Sequence, residues 1–154
     1  MNRTFKGLMV AMLLFSTNAL QAQVRPAQSQ TEQQAKDAAF LKKNKTQVGI
    51  TETASGLQYK VVTIGKGPKP KKFNRVTINY TLRNLEGKII GSNGNNVWNH
   101  KMEKGLYGME EAMKMMPEGS KWVLYMPASL CKSKYENVPG GRVLECTIEL
   151  LEVQ

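Results

Sequence analysis

The chain has 154 residues, of which 41% are hydrophobic and 22% are charged, and its formal net charge is +10. This composition is typical of globular proteins, and the length allows one domain with extra segments but excludes several large domains. The charge permits nucleic acid, an anionic membrane surface or simple solubility, and nucleic acid is disfavoured because most of the basic residues are scattered.

The first 22 residues have the layout of a secretory signal peptide. Arg3 and Lys6 form a short basic start, residues 8–15 form an apolar core, and small residues lead to Ala22. The apolar run is well short of the ~18 residues that an anchoring span requires. No Cys follows directly for acylation. We therefore expect cleavage near Ala22 and an exported protein, periplasmic or secreted, without a membrane anchor.

Residues 23–50 are predicted to form a polar leader followed by a short helix. The composition of residues 23–30 is typical of disorder. Thr31 stands three residues before Gln34, which is the spacing of a capping box, and predicts a helix over residues 32–43. Because the apolar face of this helix is thin, it is either an arm that docks loosely on the domain or an element that pairs two copies of the chain.

Residues 51–154 carry repeated strand patterns and are predicted to form one domain. Alternating apolar and polar side chains or β-branched runs predict strands at residues 57–64, 75–82, 88–92, 121–126 and 143–153. Residues 105–116 place an apolar stripe on one face of a short helix, which Pro117 and Gly119 end. About five strands and one core helix predict an α+β fold in which the sheet wraps over that helix.

The sequence lacks the usual motifs of hydrolases, nucleotide-binding proteins and metal centres. His100 is the only histidine, so one chain cannot build a His-rich metal site. Cys131 and Cys146 do not have C-x-x-C spacing, which disfavours a zinc ribbon and a thioredoxin-type redox pair. We expect His100 to be a surface or pocket-rim residue rather than a general base, and we expect no metal and no cofactor.

The order of these elements resembles the FKBP-type peptidyl-prolyl cis-trans isomerases, in particular their exported, Mip-like branch. VTINYT at residues 76–81 is similar to the V-x-V-x-Y-T strand of that family, and EGKII at 86–90 is similar to its D-G-x-x-F turn and strand. GLYGMEEAMKMMPEGSKW at 105–122 is similar to V-I-P-G-W-x-E-A-L-x-x-M-x-x-G-x-K, and VPGG at 138–141 to I-P-P-N. The resemblance covers residues 53–153 and implies a half-wrapped antiparallel sheet around the 105–116 helix, with an apolar pocket for a prolyl ring between them.

The resemblance also implies site residues. Tyr80 fits the pocket tyrosine, and Leu106 fits the residue whose backbone N–H holds the substrate carbonyl. Several pocket positions depart from the family, which has Phe, Asp, Trp, Tyr and Phe where this chain has Ile90, Gly91, Met109, Lys132 and Cys146. Trp98 and Tyr135 are candidates to supply rim aromatics, and Val138 belongs to the segment that precedes the last strand.

The resemblance implies an isomerase that acts on X–Pro bonds in unfolded or extended polypeptides. Rotation about such a bond needs no nucleophile, metal or cofactor, because only preferential binding of the twisted amide is required. The substitutions leave two interpretations open. One is a weakly active isomerase and folding helper, and the other is a non-catalytic FKBP-like module that binds peptide or protein. A homodimer through the N-terminal helix is compatible with either interpretation.

The family fold also leads to a hypothesis about the two cysteines. It implies that Cys131 and Cys146 both face the pocket region. A disulfide between them would occupy the space that a prolyl ring needs and could stabilise the fold by ~3 kcal/mol. The alternative is that both remain free thiols, because side-chain direction cannot be fixed from sequence.

Overall fold

The computed structural model describes residues 18–94, 96–133 and 141–154. The chain divides into two compact units, residues 1–33 and 34–154. Helix α1 (Asn18–Asn44) includes residues 23–30, so the expected disordered leader is wrong, and the helix begins before the capping box at Thr31. Alanine, glutamine and arginine favour helix, and a polar composition alone does not prevent it. No helix in the described part of the chain is long and apolar enough to cross a membrane.

One antiparallel sheet forms the second unit. Its strands are β1 (Ile50–Glu52), β2 (Gln58–Thr63), β3 (Arg75–Asn84), β4 (Ile89–Ser92), β5 (Trp98–Lys101), β6 (Lys121–Met126) and β7 (Leu144–Val153). They are paired in the order β1-β2-β6-β7-β3-β4, and β5 also pairs with β3. Helix α2 (Tyr107–Met115) connects the β5 region to β6. The predicted α+β class is confirmed, with β1 and β5 as strands that the sequence patterns did not predict.

The core lies between α2 and one face of the sheet. Side chains of a strand alternate between faces, so every second residue of β6 and β7 is buried. The buried set comprises Trp122, Leu124, Met126, Leu144, Cys146, Ile148 and Leu150. Helix α2 contributes Met109, Ala112 and Met113 from its apolar stripe. A Cβ atom at Gly108 would lie 2.7 Å from Met126 Sδ, so a glycine here lets α2 approach β6 closely.

The last turns of α1 lie on the opposite face of the sheet. The ring of Phe40 lies 5.7 Å from that of Tyr125, which alternates with the inward-facing residues of β6. Gln58 is fully buried. Its side-chain amide donates to the Leu41 carbonyl at 2.9 Å and its oxygen accepts from the Asn44 amide at 2.9 Å. This part of α1 is therefore fixed to β2 and β6 by both apolar and polar contacts.

A buried carboxylate adds a second attachment of α1. Asp37 is 4% exposed and accepts hydrogen bonds from Arg142 Nε at 3.1 Å and from the Val143 backbone N–H at 2.9 Å. Arg142 also donates to Glu86 at 2.8 Å, and this bond lowers the pKa of the Glu86 carboxyl. Of the two sequence alternatives for this helix, docking as an arm is observed, although the contacts are not loose.

Candidate functional site

Three aromatic rings form a column on the paired strands β3 and β5. Tyr80 of β3 lies beside Trp98 of β5, with ring centroids 5.4 Å apart and planes tilted by 46°. Trp98 in turn stacks on His100, with centroids 4.1 Å apart and planes 16° from parallel. Because residues two apart in a strand share a face, β5 places Trp98 and His100 side by side. Tyr80 and Trp98 are partly exposed, whereas His100, at the end of the column, is buried.

His100 is the buried base of this column. It is 5% exposed, and neither ring nitrogen has a hydrogen-bond partner among the described residues. Its Nε2 lies 3.8 Å from the position that a Cβ of Gly105 would occupy. Burial lowers the pKa of His100, and the Trp98 carbonyl acts in the opposite direction. The expectation of a surface or rim histidine is therefore wrong, because β5 turns this ring into the core.

The start of α2 forms the neighbouring wall. Leu106 precedes the helix with extended backbone angles, φ −66° and ψ 146°, and no side chain caps the helix at this position. Its side chain is half-buried against the core, and Met109, 2% exposed, lies one turn further on. The Tyr107 N–H donates to the Lys132 carbonyl at 2.9 Å. The Lys132 residue itself is exposed, so its backbone, rather than an apolar side chain, is what meets α2.

The β3–β4 pair supplies the third side of the site through a bulge. Leu82 pairs with Gly91 and Arg83 with Ile89, which leaves Ile90 without a partner residue. Ile90 is 43% exposed. Ile90 therefore lies at the surface of the bulge, and its predicted place in the pocket remains a prediction. A Cβ added at Gly91 would lie 3.7 Å from Leu82 Cβ, an ordinary contact, so this position has room for a side chain.

The two cysteines lie beneath the site as free thiols. Both are buried. The disulfide that we hypothesised is therefore not formed in this structure. The Cys131 thiol is 3.4 Å from the carbonyl oxygens of Met126 and Pro127, so its hydrogen already has acceptors. Burial raises the pKa of Cys131 to about 12 and also raises the pKa of Cys146. Neither is a reactive thiolate at neutral pH.

Comparison with known families identifies the family to which the chain belongs. A family model described as "FKBP-type peptidyl-prolyl cis-trans isomerase" matches residues 66–151. The chain belongs to this family. A second model, "Domain amino terminal to FKBP-type peptidyl-prolyl isomerase", matches residues 5–61.

The relatives place it in the Mip-like branch of the FKBP-type isomerases. The chain is 38% identical to "Outer membrane protein MIP" of Legionella longbeachae over 101 residues, 64% of this chain and 43% of that protein. It is 30% identical to the "FKBP-type 22 kDa peptidyl-prolyl cis-trans isomerase" of Escherichia coli K12 over 124 residues, 77% of this chain and 60% of that protein. The chain thus spans about half the length of these curated relatives.

Solved structures show the same fold. The crystal structure of FkpA from E. coli matches with a TM-score of 0.77 at 26% identity, covering 88% of this chain and 66% of that one. A peptidyl-prolyl isomerase from Pseudomonas syringae pv. tomato matches with a TM-score of 0.71 at 26% identity, covering 80% of this chain and 95% of that one. The FKBP-like sheet that the resemblance implied is therefore confirmed, and so is the N-terminal helix that the capping-box spacing predicted.

The structure brings some of the predicted site residues together and leaves others apart. Tyr80 and Trp98 are in ring contact. Leu106 and Met109 belong to one wall, and Cys146 is buried in the same core cluster as Met109. Tyr135 and Val138 lie outside the described residues.

The buried position of His100 was missed from the sequence because no strand was predicted over residues 98–101. The spacing Trp98-x-His100 in a strand would have put both rings on one face. Within the described part of the chain, no three His, Cys, Asp or Glu side chains come together as a metal site.

Proposed function

We propose that this protein is a weakly active FKBP-type peptidyl-prolyl cis-trans isomerase that acts on X–Pro bonds of unfolded or extended polypeptides. The observation that supports it most directly is the contact of Tyr80 with Trp98 on β3 and β5. In this proposal a prolyl ring enters between these rings and Met109, and the Leu106 N–H binds the substrate carbonyl.

The reaction makes few chemical demands on such a site. Amide resonance sets a barrier of ~18–20 kcal/mol to rotation about a peptide bond. A pocket lowers it by binding the twisted amide better than either planar form. Apolar walls favour the twisted state, because twisting removes the charge separation that water stabilises. Tyr80, Leu106 and Met109 are sufficient for this role, and no cofactor takes part.

The expected weakness comes from the substituted positions. Gly91 offers no carboxylate, Lys132 is exposed, and Met109 is more flexible than an aromatic floor. A tenfold loss of rate corresponds to only about 1.4 kcal/mol of transition-state binding. We therefore expect a kcat/KM at least tenfold below that of an FKBP-type isomerase with the full set of pocket groups.

The direct test is refolding of a substrate protein whose slow phase, ~10–100 s, is limited by X–Pro isomerisation. The purified protein should accelerate that phase in proportion to its concentration. Tyr80→Phe should lower the acceleration several-fold, because it removes the hydroxyl group at the pocket. Tyr59→Phe is the matched control, since Tyr59 stacks on Trp122 with centroids 4.5 Å apart and not on the column. Absence of any acceleration would contradict the proposal.

A second candidate function is peptide or protein binding without turnover. Several large hydrophobic side chains are exposed on β4, β5 and the first turn of α2: Ile89, Ile90, Trp98 and Tyr107. Such a rim suits an extended apolar segment. Titration with a proline-containing peptide distinguishes the two functions by NMR. A module that only binds would shift the Trp98 indole signal without exchange between cis and trans peptide signals, whereas an isomerase would produce both effects.

We also infer export, with cleavage near Ala22, from the pattern of residues 1–22. The cleavage site lies within α1, so in the mature protein this helix would begin several residues after Asn18. A homodimer through α1 is also part of the proposal. Mass spectrometry of the exported protein tests the first inference, and sedimentation equilibrium tests the second.

A further inference from the structure

The connection between β2 and β3 holds a turn that is basic and apolar at once. We call residues 69–73, with the sequence Lys-Pro-Lys-Lys-Phe, the basic turn. Asn74 closes it: its N–H donates to the Lys71 carbonyl at 3.0 Å, and its side-chain oxygen accepts from the Lys71 N–H at 2.6 Å. These reciprocal bonds leave Lys72 and Phe73 as the two central residues of a closed turn.

The fold fixes the base of the basic turn. The Asn74 side-chain amide donates to the Gln154 carbonyl at 2.8 Å, and the Asn74 carbonyl accepts from the Met102 N–H at 3.1 Å. Pro70 is buried. The tip is therefore held by β3, β7 and the segment that follows β5, and the position of Phe73 does not depend on a free loop.

Phe73 is 80% exposed at this tip. Single exposed apolar side chains are common on protein surfaces. Phe73 differs because it lies between cations rather than among neutral polar groups. The Lys72 ammonium is 5.4 Å from the ring centroid, and Lys69, Lys71 and Lys72 are all exposed. An aromatic side chain flanked by lysines combines apolar insertion with attraction to anions.

Residues of the strands beside the basic turn add further positive charge. Arg75, the first residue of β3, pairs directly with Lys101 of β5, and both are exposed. Like charges in directly opposed strand positions are unfavourable. Glu110 lies within electrostatic reach of Lys72 and offsets part of this charge. The basic turn and the two strand residues beside it nevertheless carry five cations and one exposed aromatic ring.

We propose that the basic turn is a contact site for an anionic phospholipid surface, with Phe73 in the interfacial layer and the lysines over the headgroups. A membrane fits better than a nucleic acid, because Phe73 is a single ring on a convex tip, whereas single strands are bound by several aromatic rings along a groove. The attachment is peripheral and reversible, since one inserted side chain and a few lysines bind weakly. This inference does not depend on isomerase activity.

The test is flotation of the purified protein with vesicles of phosphatidylcholine alone or mixed with phosphatidylglycerol. We expect binding only to the anionic vesicles, with loss at high salt. The triple variant Lys69→Gln, Lys71→Gln, Lys72→Gln should lower the partition coefficient on the order of 100-fold. The matched control, Lys42→Gln, Lys60→Gln, Lys88→Gln, removes the same charge from other exposed positions and should have a much smaller effect.

The apolar part of the proposal has its own variants. Phe73→Ser should lower the partition coefficient about tenfold, whereas Phe73→Trp should preserve it, because tryptophan also favours the interface. All of these side chains are exposed, so circular dichroism and melting temperature should remain unchanged. Equal losses in the two triple variants would overturn the proposal in favour of net charge. An unchanged Phe73→Ser variant together with equal binding to single-stranded RNA would overturn it in favour of a general polyanion site.

Discussion

The two faces of the sheet differ in how they treat polar groups. On the face that carries α1, the polar side chains at the helix are paired: Asp37 with Arg142 and Val143, and Gln58 with Leu41 and Asn44. The same face also holds one buried oxygen, Asn79 Oδ1, that has no partner among the described residues. On the face that carries α2, the buried ring nitrogens of His100 and Trp122 have no partner among the described residues. The hydrogen bonds of α1 therefore fix its position on the sheet, whereas the two buried rings on the other face leave hydrogen-bonding capacity unused.

The two faces of the sheet also differ in the side chains that pack against them. The α2 face is lined by methionines, including Met109, Met113 and Met126, and by two unbonded cysteines. Methionine side chains adapt their rotamers to different neighbours at low cost. Polar contacts fix α1 on one face of the sheet, whereas methionine and cysteine side chains make the other face adaptable. In the proposed function, the adaptable face is the one that a substrate would enter.

The largest expected effect is the loss of the α1 attachment. Asp37→Ala should lower the free energy of unfolding by about 3 kcal/mol, because it leaves the Arg142 guanidinium and the Val143 N–H without their acceptor. The figure is at the low end for buried pairs, since the Arg142 side chain is 26% exposed. Urea denaturation measures it. Glu86→Gln removes the exposed partner of the same arginine and should change stability far less. Equal losses of stability in the two variants would show that the two acceptors of Arg142 are equivalent. That result would contradict the special importance of the buried Asp37.

A loss of similar size is expected when Gly65 is replaced. A Cβ at Gly65 would lie 2.0 Å from the Glu118 carbonyl oxygen, and that backbone cannot move without disturbing the start of β6. Gly65→Ala should therefore cost about 3 kcal/mol, the upper part of the usual range for overpacking. Gly91→Ala is the matched control at the pocket, where the nearest atom is 3.7 Å away. Thermal denaturation should show a large fall in Tm for the first variant and almost none for the second.

How much of the fold and of the candidate site could be predicted from sequence depends on how far apart in the chain the interacting residues lie. The β6 strand was predicted with its observed limits, 121–126, because local alternation of side chains sets it. Motif order along the chain led to Tyr80 and Leu106 as site residues, and their roles remain predictions. The Asp37–Arg142 pair spans 105 residues and has no local signal. The bulge at Ile90 and the short strand β5 arise from pairing with β3, so the position of His100 could not be read from its neighbours.

A gain of function tests whether the pocket is adaptable. Gly91→Asp adds a carboxylate at the position where the family has one, and the contact distances at Gly91 leave room for it. We expect kcat/KM for X–Pro isomerisation to rise about tenfold, which corresponds to ~1.4 kcal/mol of transition-state binding. Gly91→Asn, similar in size but neutral, should give a smaller gain. No change in either variant would mean that Met109 and Lys132, rather than the missing acid, limit the rate.

The smallest expected effect is a pH dependence that comes from His100. Burial lowers its pKa, so the unfolded chain, with an ordinary value near ~6.5, binds a proton at higher pH than the folded chain. The stability that the neutral ring contributes is therefore complete above about pH 6.5 and is lost as the pH falls below that value. Arg75 adds to this effect, because its positive charge also disfavours a protonated ring.

The matched variant for this prediction is His100→Phe, which keeps a ring against Trp98 and cannot be protonated. Denaturation curves between pH 7.5 and 5.5 should show a decline for the natural protein that is absent in the variant. Glu110 titrates with the opposite sign, because burial raises its pKa and the folded chain gains its proton first, so only the difference between the two proteins isolates His100. Parallel curves would mean that the ring already finds a partner for its proton in the folded state.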